Sequence, residues 1–467
     1  MNNRLALSIN VFPVDASGRA TGRAELRTSF EWLFVISIGL LPLMQLGLPF
    51  SMGTLTIADA VFAAAAVVGL LGIATGAIKL ITPPIARWIG IYLMVAIVSA
   101  ALGDSPEQSF SRIAIDIYMG LLAIVSVYAV RSVDMLKRVV MAWLVGTALT
   151  VTAGISGVLL FYSGARPWWY GVLLDGYGSL PPGNYPRVHG LFLNMNMCCE
   201  YLVVSLVLLL ACGKFGWINR ILFAALVIGI CVTAVFTVSP NIGGILLAAG
   251  IWFWQQEARS LKFRVVSLCA GILGALAFLF ASALSPTQIV GSTPRIAGSQ
   301  NYVAPSSRLL CWSQAYETWK AYPLLGRGAG LEVACPPYVA ASGNIQNLLD
   351  AHNMYLNTAA TKGGLGLLAL GCVICSALWP LGGRNKVASC DSVKWWRALR
   401  IAFFSAFVYG GLTGSFEHTR HLWVLLGLLT AARGLVEAEL EGRWGQISAL
   451  SLMSPGSVGT LEDSRYA

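Results

Sequence analysis

Apolar runs of about twenty residues recur along the chain, each long enough to cross a bilayer's hydrocarbon core as an α-helix. They fall near 32–50, 54–78, 88–103, 113–130, 139–162, 195–213, 220–238, 241–256, 265–284, 353–380, 399–415 and 421–433. The pair around 220–256 meets at Ser239-Pro240-Asn241. Only 11% of residues are charged, against about 25% in a soluble domain. Those charges collect between the runs, because a charged side chain at mid-bilayer costs roughly 2.5–3.5 kcal/mol on insertion scales. The pattern predicts an all-α, polytopic integral membrane bundle of about 12 transmembrane helices.

The net charge of +10 is scattered over short loops, with no basic patch or nucleic-acid motif, so nucleic acid is not an expected partner. Membrane lipids and orientation explain it instead. With an even number of spans both termini share a face, and 22 of the 31 basic residues fall on it. The positive-inside rule puts that face in the cytoplasm. The expected organisation is a cytoplasmic tail 1–31 and helices over 32–284 with an outer segment 163–194. A large outer segment 285–351, helices over 352–433 and a cytoplasmic tail 434–467, partly disordered, complete it. Nothing in 1–29 resembles a cleavable signal.

Both outer segments exceed an ordinary connection and are rich in Trp, Tyr, Pro and Gly. Within the larger, Ser306-Ser307-Arg308 opens a helix with Leu309, Trp312, Tyr316 and Trp319 on one face, stopped by Pro323. An aromatic face suits a helix lying at the membrane surface; packing on the tops of the spans is an equal alternative.

Candidate chemistry also gathers on the outer side, where all four histidines fall. His352-Asn353-Met354-Tyr355-Leu356 opens a span, and Gly363 and Gly366 lie within it, where they would admit a neighbouring helix. A histidine at a span's mouth can accept or deliver a proton near neutral pH; helix capping is the competing role. Upstream are Pro323-Leu324-Leu325-Gly326-Arg327-Gly328-Ala329-Gly330 and, earlier, Arg187-Val188-His189-Gly190-Leu191-Phe192-Leu193-Asn194-Met195-Asn196.

In these motifs and their order the chain resembles the O-antigen ligase family, whose relatives include O-antigen polymerases and protein O-oligosaccharyltransferases. One departure stands out: where many members carry Ser-Arg followed by small residues, this chain reads Ser239-Pro240-Asn241-Ile242-Gly243-Gly244. The resemblance implies a multi-pass protein of the bacterial inner membrane with its active site facing the periplasm. It implies transfer of a glycan from undecaprenyl pyrophosphate to an acceptor hydroxyl, with lipid A–core as the first candidate acceptor and no cofactor. Polymerisation of O-antigen or exopolysaccharide and protein-directed transfer are alternatives, and a polysaccharide or lipid transporter is an alternative of another class.

A leaving diphosphate needs fixed positive charge, which guanidinium groups supply in pairs of hydrogen bonds. Arg187 and Arg308 match the family's positions, Arg327 is a further candidate, and His352 is the candidate base. Asn353, Tyr355, His189 and Arg420 would support them. Each arginine also has a plainer role open to it: contact with lipid phosphate or, for Arg327, bracing a glycine-rich turn. No His, Asp and Glu cluster has metal-ligand spacing. Asp59, Asp116 and Glu200 lie in or near spans and are functional suspects by that position; Asp59 and Asp116 also suit helix ends, and Glu200 suits pairing with an arginine. Glu417, His418, Arg420 and His421 read as a solvated outer turn. Cys311 and Cys335 share the large outer segment, where an oxidising compartment would permit a disulfide.

Overall fold

The computed structural model describes residues 16–453 apart from 51–52, 105, 178–184, 257, 285–306, 331–332, 336–337, 340–344, 347–349, 380–390 and 415–417. The start of the first tail, the end of the last, Glu417 and much of the large outer segment therefore lie outside the described residues. What is described is an all-α bundle, relieved only by three two-stranded antiparallel hairpins.

Nine helices among the described residues are long and apolar enough to cross a membrane. They are α2 (Ile57–Ala74), α3 (Pro84–Leu102), α4 (Pro106–Ala129), α5 (Val133–Ser163), α6 (Met195–Lys214), α7 (Arg220–Thr237), α9 (Leu261–Leu284), α11 (Met354–Leu378) and α14 (Arg420–Met453). The other three expected spans are helical too, but shorter or interrupted. In α1 (Ala16–Gly39) the helix begins well inside the expected tail and stops before Pro42, so the run 32–50 is not one helix. The hairpin Leu48–Phe50 with Gly53–Leu55 follows it. The 13-residue α8 (Ile242–Trp254) falls short of a full crossing. The run 399–415 is broken into α12 (Asp391–Phe403), a π-helical turn at Phe404–Val408 and a single turn, α13 (Gly410–Thr413). The tail expected from residue 434 instead starts as helix: α14 runs on to Met453, because Val436 and Leu440 are buried and Ser392 hydrogen-bonds Glu439 across from α12.

Burial ranks the helices. In α6, 78% of the apolar window is enclosed by other helices, whereas α9 has 11% enclosed and leaves the rest to lipid. Trp143 of α5 stacks on Tyr201 of α6 and donates to Ser205 at 3.0 Å, tying the two helices at the bundle's centre. The outer-segment helix α10 (Ser307–Ala321) has the expected bounds. It packs on α11, with Cys311, Ala315 and Thr318 facing inward while Tyr316 is exposed. The helix thus docks through its small residues, while the expected aromatic stripe is divided: Leu309 and Tyr316 are exposed, but Trp312 and Trp319 are partly buried.

Below α10, the segment Pro323–Gly328 inserts into a break in α11. Gly363 has φ +68° and ψ −170°, which interrupts the helical bonds. The freed groups are taken up by the loop: Arg327 N donates to Ala360 O (2.9 Å), Gly328 N to Thr361 O (3.0 Å) and Gly364 N to Pro323 O (2.8 Å). A Cβ at Gly363 would stand 2.2 Å from the Leu324 carbonyl, and one at Gly326 2.3 Å from Thr361 C. Both positions also have positive φ, so glycine is required twice over. Gly363 therefore admits a loop where a helix was expected, since the cavity beside it is set by backbone hydrogen bonds and not by side-chain packing.

Candidate active site

The outer ends of α6, α7, α8, α11 and α13 meet, and here the two family-matched arginines arrive from distant parts of the chain. Arg187 lies on a hairpin strand (Tyr185–Val188) that pairs with Leu174–Tyr177. Its Nε donates to the carbonyl of Thr237, the last residue of α7 (3.2 Å). Arg308, in the first turn of α10, donates through Nη1 to the carbonyl of Thr413 at the end of α13 (2.6 Å). Thr413 Oγ1 in turn donates to Asn241 Oδ1, at the turn leading into α8. Ser239 Oγ donates to Asn196 Oδ1 (2.8 Å), and Asn241 Nδ2 to Asn196 O (3.2 Å). The Ser239-Pro240-Asn241 turn is thereby locked to the Asn-x-Asn entrance of α6, with an arginine anchored on either side.

Burial and the neighbouring charge of Arg187 both push the Arg308 pKa down. Two guanidinium groups are thus held close enough to repel, an arrangement an anion between them would relieve. Asp350 acts on Arg308 in the opposite direction.

The same carboxylate holds His352. Asp350 Oδ1 accepts from His352 Nδ1 (2.7 Å) and from its backbone N (2.7 Å), and this hydrogen bond raises the imidazole pKa. With Nδ1–H so engaged, Nε2 carries the lone pair, the arrangement of a carboxylate-oriented base. The imidazole is half exposed, at 49%. His352 has φ +47°; the one other described non-glycine residue with positive φ is Val238, next to the carbonyl that Arg187 holds. Both strained backbones fall at this site, and such strain costs about 1–3 kcal/mol. Asn353 caps α11, accepting from Tyr355 N and Leu356 N, while its Nδ2 donates to Leu412 O (3.3 Å). Tyr355 donates to Val408 O (2.8 Å). These two supports therefore fix the α11 mouth to the broken α12–α13 element.

The remaining candidates have other engagements. Arg327 donates to Asp104 (2.8 Å) at the end of α3, which lowers the carboxylate's pKa, so it braces the loop in the α11 break and does not join Arg187 and Arg308. Arg420 forks onto Asp59 at 2.6 and 2.8 Å. Asp59 also closes a capping box with Thr56 on α2 and accepts from Tyr118 (2.5 Å). His189 is buried, its Nδ1 3.3 Å from Gln45 Nε2. The expected solvated turn is instead folded inward: His418 meets Asp116 (3.0 Å) and His421 is buried among Trp143, Phe192 and Tyr201. Glu200 finds no arginine: His421 Nε2 is 3.9 Å away, and neither carboxylate oxygen has a hydrogen bond.

Two contributors went unnoticed in the sequence. Asp350 stands two residues before His352, a spacing from which a carboxylate can reach both the backbone N–H and the ring. Lys362 is a lone cation in an apolar span, the position that marks a residue with a role. It pairs with Asp116 (2.9 Å) and donates to Tyr92 (2.7 Å), buried about 12 Å below the mouth of α11. A cavity of about 340 Å³ opens at the opposite end of the bundle, lined by Pro83, Arg131 and Arg433 and by none of the residues above.

Residues 225–371, from α7 to the middle of α11, match a family model described as O-antigen ligase. Over these residues the chain is similar to the O-antigen ligase family. The matched stretch contains Arg308, Asp350 and His352; Arg187 precedes it. No curated protein matches the chain. With nine helices of crossing length among the described residues, this similarity supports a multi-pass membrane glycosyltransferase of the O-antigen ligase and polymerase type.

Proposed function

We propose that this protein transfers a glycan from undecaprenyl pyrophosphate to an acceptor hydroxyl at the periplasmic face of the inner membrane. The lipid A–core is the proposed acceptor, making the protein an O-antigen ligase. The observation that carries the proposal is the meeting of two mutually repelling guanidinium groups with an Asp-oriented imidazole at one end of the bundle. The basic residues of the opposite end support the orientation.

In the reaction, the acceptor hydroxyl gives its proton to His352 Nε2 as its oxygen bonds to the anomeric carbon. The bond from that carbon to the diphosphate oxygen breaks, and the electron pair leaves with the lipid diphosphate. Arg187 and Arg308 face the charge that grows on the leaving group, while Asp350 stabilises the imidazolium that forms. Their carbonyl anchors on α7 and α13 hold both guanidiniums in place before substrate arrives, so little reorganisation accompanies bond cleavage. Arg187 and Arg308 bracket the Ser239–Asn241 turn and so provide the cation that the turn itself lacks.

The test is reconstitution of purified protein with a lipid-diphosphate-linked glycan and, separately, lipid A–core, a second lipid-linked glycan, or a peptide. Product on lipid A–core alone is expected. Elongation of the lipid-linked glycan would reassign the protein as a polymerase, and glycosylated peptide as a protein-directed transferase. Glycan crossing the bilayer without bond formation would replace the enzyme reading with transport.

A further inference from the structure

The structure describes nine cysteines, and seven of them lie in the apolar helices α6, α7, α9 and α11. The two outside those helices, Cys311 and Cys335, are in contact with each other. Cys335 Sγ donates to Cys311 O (3.4 Å). Both are buried, at 1% and 0%, in a small cluster with Ala315, Ala334, Ala351 and Ala360. Thr318 Oγ1 donates to Ala334 O (3.2 Å), holding the same short segment against α10. Pairing by chance would not be expected to select the two cysteines that lie outside the apolar helices.

We propose that Cys311 and Cys335 form a structural disulfide that pins the Val333–Cys335 segment to α10 and so steadies Arg308, one turn before Cys311. The proposal rests on the periplasmic placement of this segment, because disulfides persist in oxidising compartments. In the bond-forming sequence one cysteine thiolate attacks a sulfur of an external disulfide and expels the other sulfur as a thiolate. The second cysteine then attacks the mixed disulfide and releases the remaining external sulfur as a thiol. Two cysteine thiols lose two protons and two electrons, and the external disulfide is reduced to two thiols. Since neither sulfur is accessible in the folded protein, the bond forms before α10 docks and afterwards resists reductant until the protein is denatured.

The experiment counts thiols. Full-length protein from membranes, denatured without reductant and treated with a maleimide-linked polymer, should carry two tags fewer than its ten cysteines allow; reduction after denaturation should restore both. In Cys311→Ser or Cys335→Ser the difference between reduced and unreduced samples should vanish, and the thermal midpoint should fall by about 5 °C. Wild-type protein that takes all ten tags without reductant overturns the disulfide. A separate probe reports the side of the membrane: Leu324→Cys, at a position 68% exposed, treated on cells with a membrane-impermeant maleimide. Labelling there together with ten native tags defeats the disulfide and leaves the periplasmic reading intact. No labelling until the inner membrane is permeabilised defeats the periplasmic reading itself.

Discussion

Two charged groups share one half of this bundle and have opposite characters. At one, Asp350 acts on both His352 and Arg308, the charge of Arg187 acts on Arg308, and the imidazole is half exposed. Deeper in, Lys362 pairs with Asp116, Tyr92 accepts from Lys362, His418 lies 3.0 Å from Asp116, and Lys362 and Asp116 are 3% and 0% exposed. A similar closure holds Arg420 on Asp59. Compensated charges in a membrane interior hold helices in register, because neither partner can leave without stranding the other. Nearer His352, the guanidinium groups of Arg187 and Arg308 are anchored on backbone carbonyls of Thr237 and Thr413, which orient a cation without carrying an opposite charge.

Breaking the deeper pair should have the largest effect on stability. Lys362→Met strands Asp116 and should cost about 3–5 kcal/mol, whereas Lys362→Met with Asp116→Leu should recover much of it. Thermal unfolding in detergent compares the two; a double variant no more stable than the single one would argue against the pairing as the source. At the mouth the effects should appear in rate instead. His352→Ala and Arg308→Ala should each lower transfer by about 10²–10³-fold with little change in melting. Equal losses of stability in both regions would erase the distinction drawn here.

A gentler probe acts through pH. Asp350 holds the His352 pKa above its ordinary value, so the neutral base, and with it activity, should appear only as pH rises through that raised value. Asp350→Asn should shift this acidic limb to lower pH and reduce the maximum rate. A limb that stays in place would remove Asp350 as the orienting group. The stabilisation from the charged pair has the complementary sense: it is present at low pH and lost as pH rises through the folded-state pKa. The smallest effect is expected at Arg327→Ala. Its ion pair with Asp104 is well exposed, at 31% and 41%, and such pairs contribute about 0–1 kcal/mol. The lowered Asp104 pKa makes even this contribution disappear only as pH falls through that value. A large loss of transfer in Arg327→Ala would return Arg327 to the active group.

The sequence reading carried further for the spans than for the site. Nine runs became helices of crossing length, since a bilayer selects apolar length directly and length is a local property. It faltered where an interruption depended on neighbours, as in the π-helical turn at Phe404–Val408, and where a local signal was passed over, as at Pro42, before which α1 stops. His352, Arg187 and Arg308 could be named as candidates because their motifs are short and contiguous. Asp350 left a faint spacing signal, and Lys362 a plainer one, a lysine within twenty-five apolar-rich residues of α11.

By itself, the order of amino acids determined the membrane class, the approximate spans, the more basic face and the residues able to donate or accept charge. Folding alone decided which of those charges cancel. Arg420 reaches Asp59 across 361 positions and His418 reaches Asp116 across 302, so their neutralisation cannot be read from any local window. Folding likewise set Arg187 on the Thr237 carbonyl and Arg308 on that of Thr413, 50 and 105 positions away, neutral anchors that orient a cation without carrying an opposite charge.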